Sequence, residues 1–359
     1  MNKKGEILIM AKITLEDITN LQGNKVPTDA KSYSTFVYGY PKTGKSTFVN
    51  DLYGEKVLFL ATEHRHQAIA GAHVINVDSW AEFLQVMKLV RKPEIQEKYD
   101  AICVDTVGRL ESYCEQYTLS KLGLDDLSEG SWGSGFGEYN KQLEKGLSLI
   151  EKCGLTPVFI SHAKQETKKV LLSEAREEEK GKDGATVSKD KKTGKEYVEY
   201  QKTTPDVKNK FFNMINRIAD NILFLDLSVD GEGREDRKIF YRDTVDHLAG
   251  ASYRHMVEYT ELTPEAYKKA VEDAINAEGK NNTVDKGKEK MSDSSGQYDY
   301  EQLMSEIAEL GKKLQADGKA DERNKVIEDV LGKGNKVKDT KPEQAEVLAV
   351  LVDKLKEIA

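Results

Sequence analysis

Cysteine is scarce in this chain of 359 residues: only Cys103, Cys114 and Cys153, with no C-x-x-C pair. That excludes a disulfide framework and fits a reducing compartment. Long apolar runs are missing too, and none approaches the roughly 20 residues of a membrane-spanning helix. Ile7-Leu-Ile-Met-Ala11 follows Lys3-Lys4 but is too short for a signal-peptide core, and Lys12 ends it. A cytoplasmic protein without a membrane partner is expected. Nor is there an excess of positive charge. Lys and Arg number 54 against 62 Asp and Glu, a net charge of −8. Whole-surface attraction to nucleic acid or anionic lipid is thereby excluded, but a local basic groove is not. Hydrophobic residues make up 38% and charged residues 32%, a composition that suggests a globular core diluted by solvated insertions and tails. The length allows one large domain and a smaller one. Gly5-Glu6 could be encoded by a ribosome-binding site, which makes Met10 a candidate native start beside Met1.

What is present centres on residues 34–47. There Gly39-Tyr40-Pro41-Lys42-Thr43-Gly44-Lys45-Ser46 matches the P-loop pattern G-x4-G-K-[ST], with Thr47 following. Gly39 and Gly44 let the backbone turn tightly, so that its N–H groups point at phosphate oxygens. Lys45 reaches the β- and γ-phosphates, and the Ser46 hydroxyl completes a Mg²⁺ shell. Thr35–Tyr38 reads as a buried strand and Ser46–Tyr53 as a helix whose N-terminus adds its positive end to the site.

Two further apolar runs end in acids. Val57–Ala61 leads to Thr62-Glu63-His64, and Ala101-Ile-Cys-Val-Asp105 is the Walker B pattern, placing Asp105 beside the P-loop as a Mg²⁺ ligand. Thr156–Ile160 is a third such strand and ends in Ser161-His162. Asp105-Thr-Val-Gly108 also fits the D-x-x-G of GTPases, but no N-K-x-D accompanies it. His64-x-His66 lacks the Cys or acidic partners of a zinc site.

Between these strands lie two stretches of another character. Gly123–Gly137 is a Gly/Ser-rich loop with Trp132 and Phe136, read either as a stacking platform for bases or as a local hydrophobic plug. Residues 165–206 are rich in Lys and Glu, including Lys168, Lys169, Lys191 and Lys192. They read as a long mobile insertion with a hairpin around 191–195. Beyond them come a helix over 207–219, a strand pair over 222–242 and a helix opened by Thr263 as N-cap and Pro264. The domains expected are a leading segment 1–32, a core 33–278, a linker 279–297 and a helical domain 298–359. The last has apolar stripes at Leu303, Ile307, Leu310 and Leu314, at Val326, Ile327, Val330 and Leu331, and at Val347, Leu351, Leu355 and Ile358. Thr340–Glu343 reads as the capping box of its third helix.

Taken together, the P-loop, Phe59-Leu-Ala-Thr-Glu63-His64, Val104-Asp105-Thr-Val and Phe159-Ile-Ser-His162 resemble the RecA-type ATPase core. The nearest likeness is to phage-encoded RecA-like ATPases of the AAA group, some of which are single-strand annealing recombinases. This resemblance covers about residues 33–245. It implies an α/β fold, a RecA-like P-loop NTPase core with a mainly parallel central sheet, to which the small α-helical domain read from the tail's own residues is appended. It also implies ATP and Mg²⁺ as cofactors, Glu63 as the residue that activates water, and His162 as γ-phosphate sensor where RecA has Gln. Loops 123–137 and 165–206 would contact single-stranded DNA. A homo-oligomer, ring or filament, would complete the site from a neighbour, with Arg242 and Arg254 as candidates. The tail would dock a single-strand-binding or replication protein, and a phage origin would place all this in the host cytoplasm. A DnaB-like helicase, a helicase loader and a nucleotide-gated interaction protein with little turnover are the competing readings.

Overall fold

The computed structural model describes residues 18–21, 25–65, 67, 69–229, 232–233, 235–278, 283–284 and 300–359. The candidate start at Met10, His66 and the linker 279–297, apart from 283–284, lie outside them. The described chain falls into two compact units, one within 17–292 and one within 293–359.

The larger unit is built on a sheet whose central strands are short and buried, Thr35–Gly39, Val57–Ala61 and Ala101–Asp105 almost throughout. Its strands include β1 (Thr35–Gly39), β2 (Val57–Ala61), β3 (His73–Asn76), β4 (Ala101–Asp105), β5 (Thr156–Leu171) and β8 (Asn221–Val229). They pair in parallel in the spatial order β8-β1-β5-β4-β2-β3. Beyond β8 the sheet turns antiparallel through β9 (Glu235–Phe240) and β10 (Tyr259–Glu261). Alternate residues face opposite sides, as a pleated strand requires. Phe36, Tyr38, Ile102, Val104 and Phe159 enter one core with α2 (Trp80–Val90), α3 (Val107–Leu122) and α4 (Ser134–Glu151). Val37, Phe59, Cys103, Val158 and Ile160 enter the other with α1 (Lys45–Tyr53) and α6 (Pro264–Glu278). The mixed α/β architecture expected from the sequence is the one observed. None of the described helices is long and apolar enough to cross a membrane.

Residues 165–206 correct the sequence reading. Instead of a mobile loop, β5 continues unbroken from the core to Leu171 and pairs antiparallel with β7 (Glu196–Pro205), which pairs in turn with β6 (Thr186–Lys189). The turn between β6 and β7 sits at 190–195, where a hairpin was expected. One face of this arm packs Val170, Val198 and Tyr200 with Ala175. Its other face is polar, and that hid the period-two pattern. Helix α4 begins at Ser134, so Phe136 is helical rather than part of a loop. A short helix, α5 (Asn209–Ile215), precedes β8.

The smaller unit is three helices, α7 (Tyr300–Ala316), α8 (Ala320–Leu331) and α9 (Ala345–Ile358), around Leu303, Ile307, Leu314, Leu348, Leu351 and Leu355. Val347 was expected on the inner face of α9 but is exposed, and Leu348 and Val352 are buried instead. The Thr340 box does not form: its Oγ1 donates to Val337 O at 2.6 Å, and α9 starts at Ala345.

Candidate nucleotide site

The loop from Gly39 to Gly44 is shaped by two left-handed positions, Lys42 at φ 69° and Gly44 at φ 92°. A side chain at Gly39 would collide with the carbonyl oxygen of Leu225 on the adjacent β8. Only glycine lets the strands pair there. Among the described residues no side chain caps the N-terminus of α1, a helix end that suits an outside acceptor. Lys45 lies buried beneath the loop, where Nζ donates to Gly39 O at 3.0 Å and Tyr40 O at 2.9 Å. Burial pulls its pKa down to about 8, against the upward pull of Asp105 and Glu63. Two carbonyls are weak partners for a buried ammonium, and a phosphate would be a better one. The residues present therefore fit a nucleotide's phosphates. Ser46 Oγ donates to Asp105 Oδ2 at 2.5 Å. That pair of oxygens suits a hard divalent ion such as Mg²⁺.

Strand order brings the remaining groups together. Gly39 stands in register with His162, Ile160 with Asp105, and Asp105 with Ala61. The strand carrying His162 thus separates the P-loop strand from that of Asp105, and Glu63 follows the next strand across. Thr106 Oγ1 donates to Glu63 Oε1 at 3.0 Å, and His162 Nε2 lies 3.3 Å from the same oxygen. The ends of β2 and β4 are tied by Thr62, whose Oγ1 donates to Thr106 O at 2.9 Å and accepts from Thr106 N at 2.8 Å. The Asp105–Thr106 peptide is cis. Glu63 and His162 open onto a cavity of about 380 Å³ also lined by Arg109, Lys164 and Lys208.

Three contacts escaped the sequence reading. Thr106 orients Glu63, as above. Gln165 Nε2 donates to Tyr40 Oη at 2.5 Å and to Thr203 Oγ1 at 3.0 Å, joining the P-loop to the base of the arm. Arg237, held by Glu235 at 2.6 Å, brings Nη1 within 4.0 Å of where a Cβ on Gly44 would lie. None had a local motif to find it by, because each spans distant elements.

The other candidates are scattered. Trp132 is fully exposed with φ 55°, so it is no hydrophobic plug, and Phe136 is half exposed in the first turn of α4. Lys168 pairs with Glu166 and Lys169 with Glu199, while Lys191 and Lys192 sit in the turn at the arm's tip. Arg242 donates to Met256 O at 2.9 Å, and exposed Arg254 lies 4.0 Å from Glu278. His64 Nε2 lies 2.6 Å from Asp78.

A family model described as an AAA domain matches residues 31–257, more than half of the chain. The chain belongs to the AAA domain family. As an AAA domain it carries its P-loop, acidic strand ends and His162 within the matched span. It is also similar to the SPbeta prophage-derived uncharacterized protein YorG of Bacillus subtilis (strain 168). The two are 27% identical over 355 residues, which cover 95% of this chain and 98% of that relative.

Proposed function

We propose that this protein hydrolyses ATP and uses it to act on single-stranded DNA in phage recombination or replication, by annealing or strand exchange. The observation that carries the hydrolytic part is the convergence of Glu63, Thr106 and His162 beside the P-loop, Ser46 and Asp105. Bound ATP with Mg²⁺ would supply the phosphoryl group that passes to water. The loop amides and Lys45 hold and neutralise the phosphates. Ser46 and Asp105 hold the ion's shell. Glu63, with Oε1 fixed by Thr106, orients the attacking water and takes its proton. His162 bridges Glu63 and the P-loop strand, where a change at the γ-phosphate is felt.

Support for the DNA part is of two kinds. Trp132 is fully exposed in a left-handed backbone conformation that a bulky residue rarely adopts. Folding gains little from such an arrangement, whereas base stacking would use it. The prophage origin of the relative fits a role in phage DNA metabolism. The deciding experiment is ATP turnover with and without single-stranded DNA at low and moderate salt. Stimulation that fades with salt is expected. Turnover indifferent to DNA would overturn the DNA reading in favour of a partner-driven ATPase, which the charge-paired Lys168 and Lys169 would then suit.

A further inference from the structure

The helical unit carries a groove of about 300 Å³ between its three helices. Its apolar lining comes from Ile307 on α7, Ile327 on α8 and Leu355 on α9; its two charged lining residues are Lys312 and Arg323. Both are cations, and neither has a carboxylate partner among the described residues. Arg323 spends its hydrogen bonds on neutral oxygens, Gly311 O at 3.3 Å and Asn324 Oδ1 at 2.9 Å. Yet residues 300–359 hold 11 Lys and Arg against 13 Asp and Glu. The positive rim is thus a local feature of an acidic unit.

Gly311 adds an independent observation. It sits inside α7, where glycine is the poorest helix former after proline. A Cβ there would meet only Arg323 Cδ, at an ordinary 3.9 Å. Packing within the unit does not call for glycine. What its missing side chain provides is an open groove.

We infer that this groove docks an acidic peptide segment of another protein. Ile307 and Leu355 are buried in the unit's own core and form the groove's base, so an apolar side chain of the segment lies against half-buried Ile327 while its carboxylates meet Lys312 and Arg323. A nucleic acid would satisfy the cations, but among the described residues no aromatic side chain lines the groove for a base to stack on. The inference stands whether or not the AAA domain acts on DNA.

The test selects a random peptide library on the full-length protein and measures binding of the enriched peptides by fluorescence anisotropy. Enriched peptides should combine acidic residues with an apolar anchor and bind more weakly as salt rises. Gly311→Leu, which fills the groove, and Lys312→Glu with Arg323→Glu, which reverses its rim, should each weaken binding more than about tenfold. Gly311→Ala should retain binding, and basal ATP turnover should not change in any of the three. The charge-reversal variant keeps the test valid if Gly311→Leu disturbs the helix packing. No enrichment, enrichment without acidic bias, or binding indifferent to the charge reversal would overturn the inference. So would self-association of the protein that the same variants abolish, since the occupant would then be a second copy.

Discussion

His162 Nε2 lies 3.3 Å from Glu63 Oε1 although 99 residues separate them in the chain. The contact exists because β5 lies one strand from β4 and two from β2, so that His162, within β5, and Glu63, just past the end of β2, share a corner. A carboxylate placed there, with Thr106 fixing one oxygen, has the geometry of a base for water. Glu63→Gln should lower kcat about a hundredfold or more and keep nucleotide affinity within about threefold. Lys45→Ala should lose both. Hydrolysis by Glu63→Gln at the parental rate, read by phosphate release, would remove Glu63 from its role.

Trp132 separates a folding role from a binding one. Because it packs on nothing, Trp132→Ala should change unfolding free energy by no more than about 0.5 kcal/mol. Trp132→Gly should be at least as stable as the parent, since glycine accepts the positive φ freely. Both variants should bind oligo-dT about tenfold more weakly if a base stacks on the indole. Unchanged affinity by anisotropy would leave this residue without a part in DNA binding.

Much of this was legible beforehand, and for a physical reason. Parallel strands buried on both faces are short apolar runs, so Thr35–Tyr38, Val57–Ala61 and Ala101–Asp105 announce themselves. A P-loop also carries its chemistry in consecutive residues. The arm was illegible because its strands bury one narrow face. Opposite pairs such as Lys169 and Glu199 cancel in charge only once the register is known. The links from Gln165 to Tyr40 and from Thr106 to Glu63 are tertiary, and no local pattern encodes them.

Gly39 tests how tightly the P-loop strand is held. A methyl group there would overlap Leu225 O and press on Thr43 Oγ1. Gly39→Ala should therefore cost about 2 kcal/mol or more in urea unfolding, and nucleotide affinity should fall with it. An unfolding midpoint equal to the parent's would show that β1 and β8 can separate without penalty.

A pH effect follows from His247. Its ring is buried between Phe224 and Phe240, with centroids 5.0 and 4.4 Å away, and its Nε2 has no hydrogen-bond partner among the described residues. Burial lowers its pKa below the ordinary 6.5, against the opposing pull of Asp243. The unfolded chain then binds the proton first as pH falls below 6.5, so this residue removes stability toward acid. His247→Phe should flatten that part of the stability–pH curve measured by urea titration. An unaltered slope would mean that the ring titrates alike in both states.

The unbroken run of β5 from Thr156 to Leu171 has one more consequence. The segment beside the nucleotide site and the base of the arm are one continuous strand, which pairs with β1 and β4 up to His162 and with β7 from Ala163, with no loop between them to act as a joint. Opening one end loosens the bonds that register the other. Amide exchange along β5 and β7 should then report a single cooperative unit, with His162 and Gln165 in the same protection class. In such a protein the arm would have little freedom of its own, and its two ends would be expected to change state together.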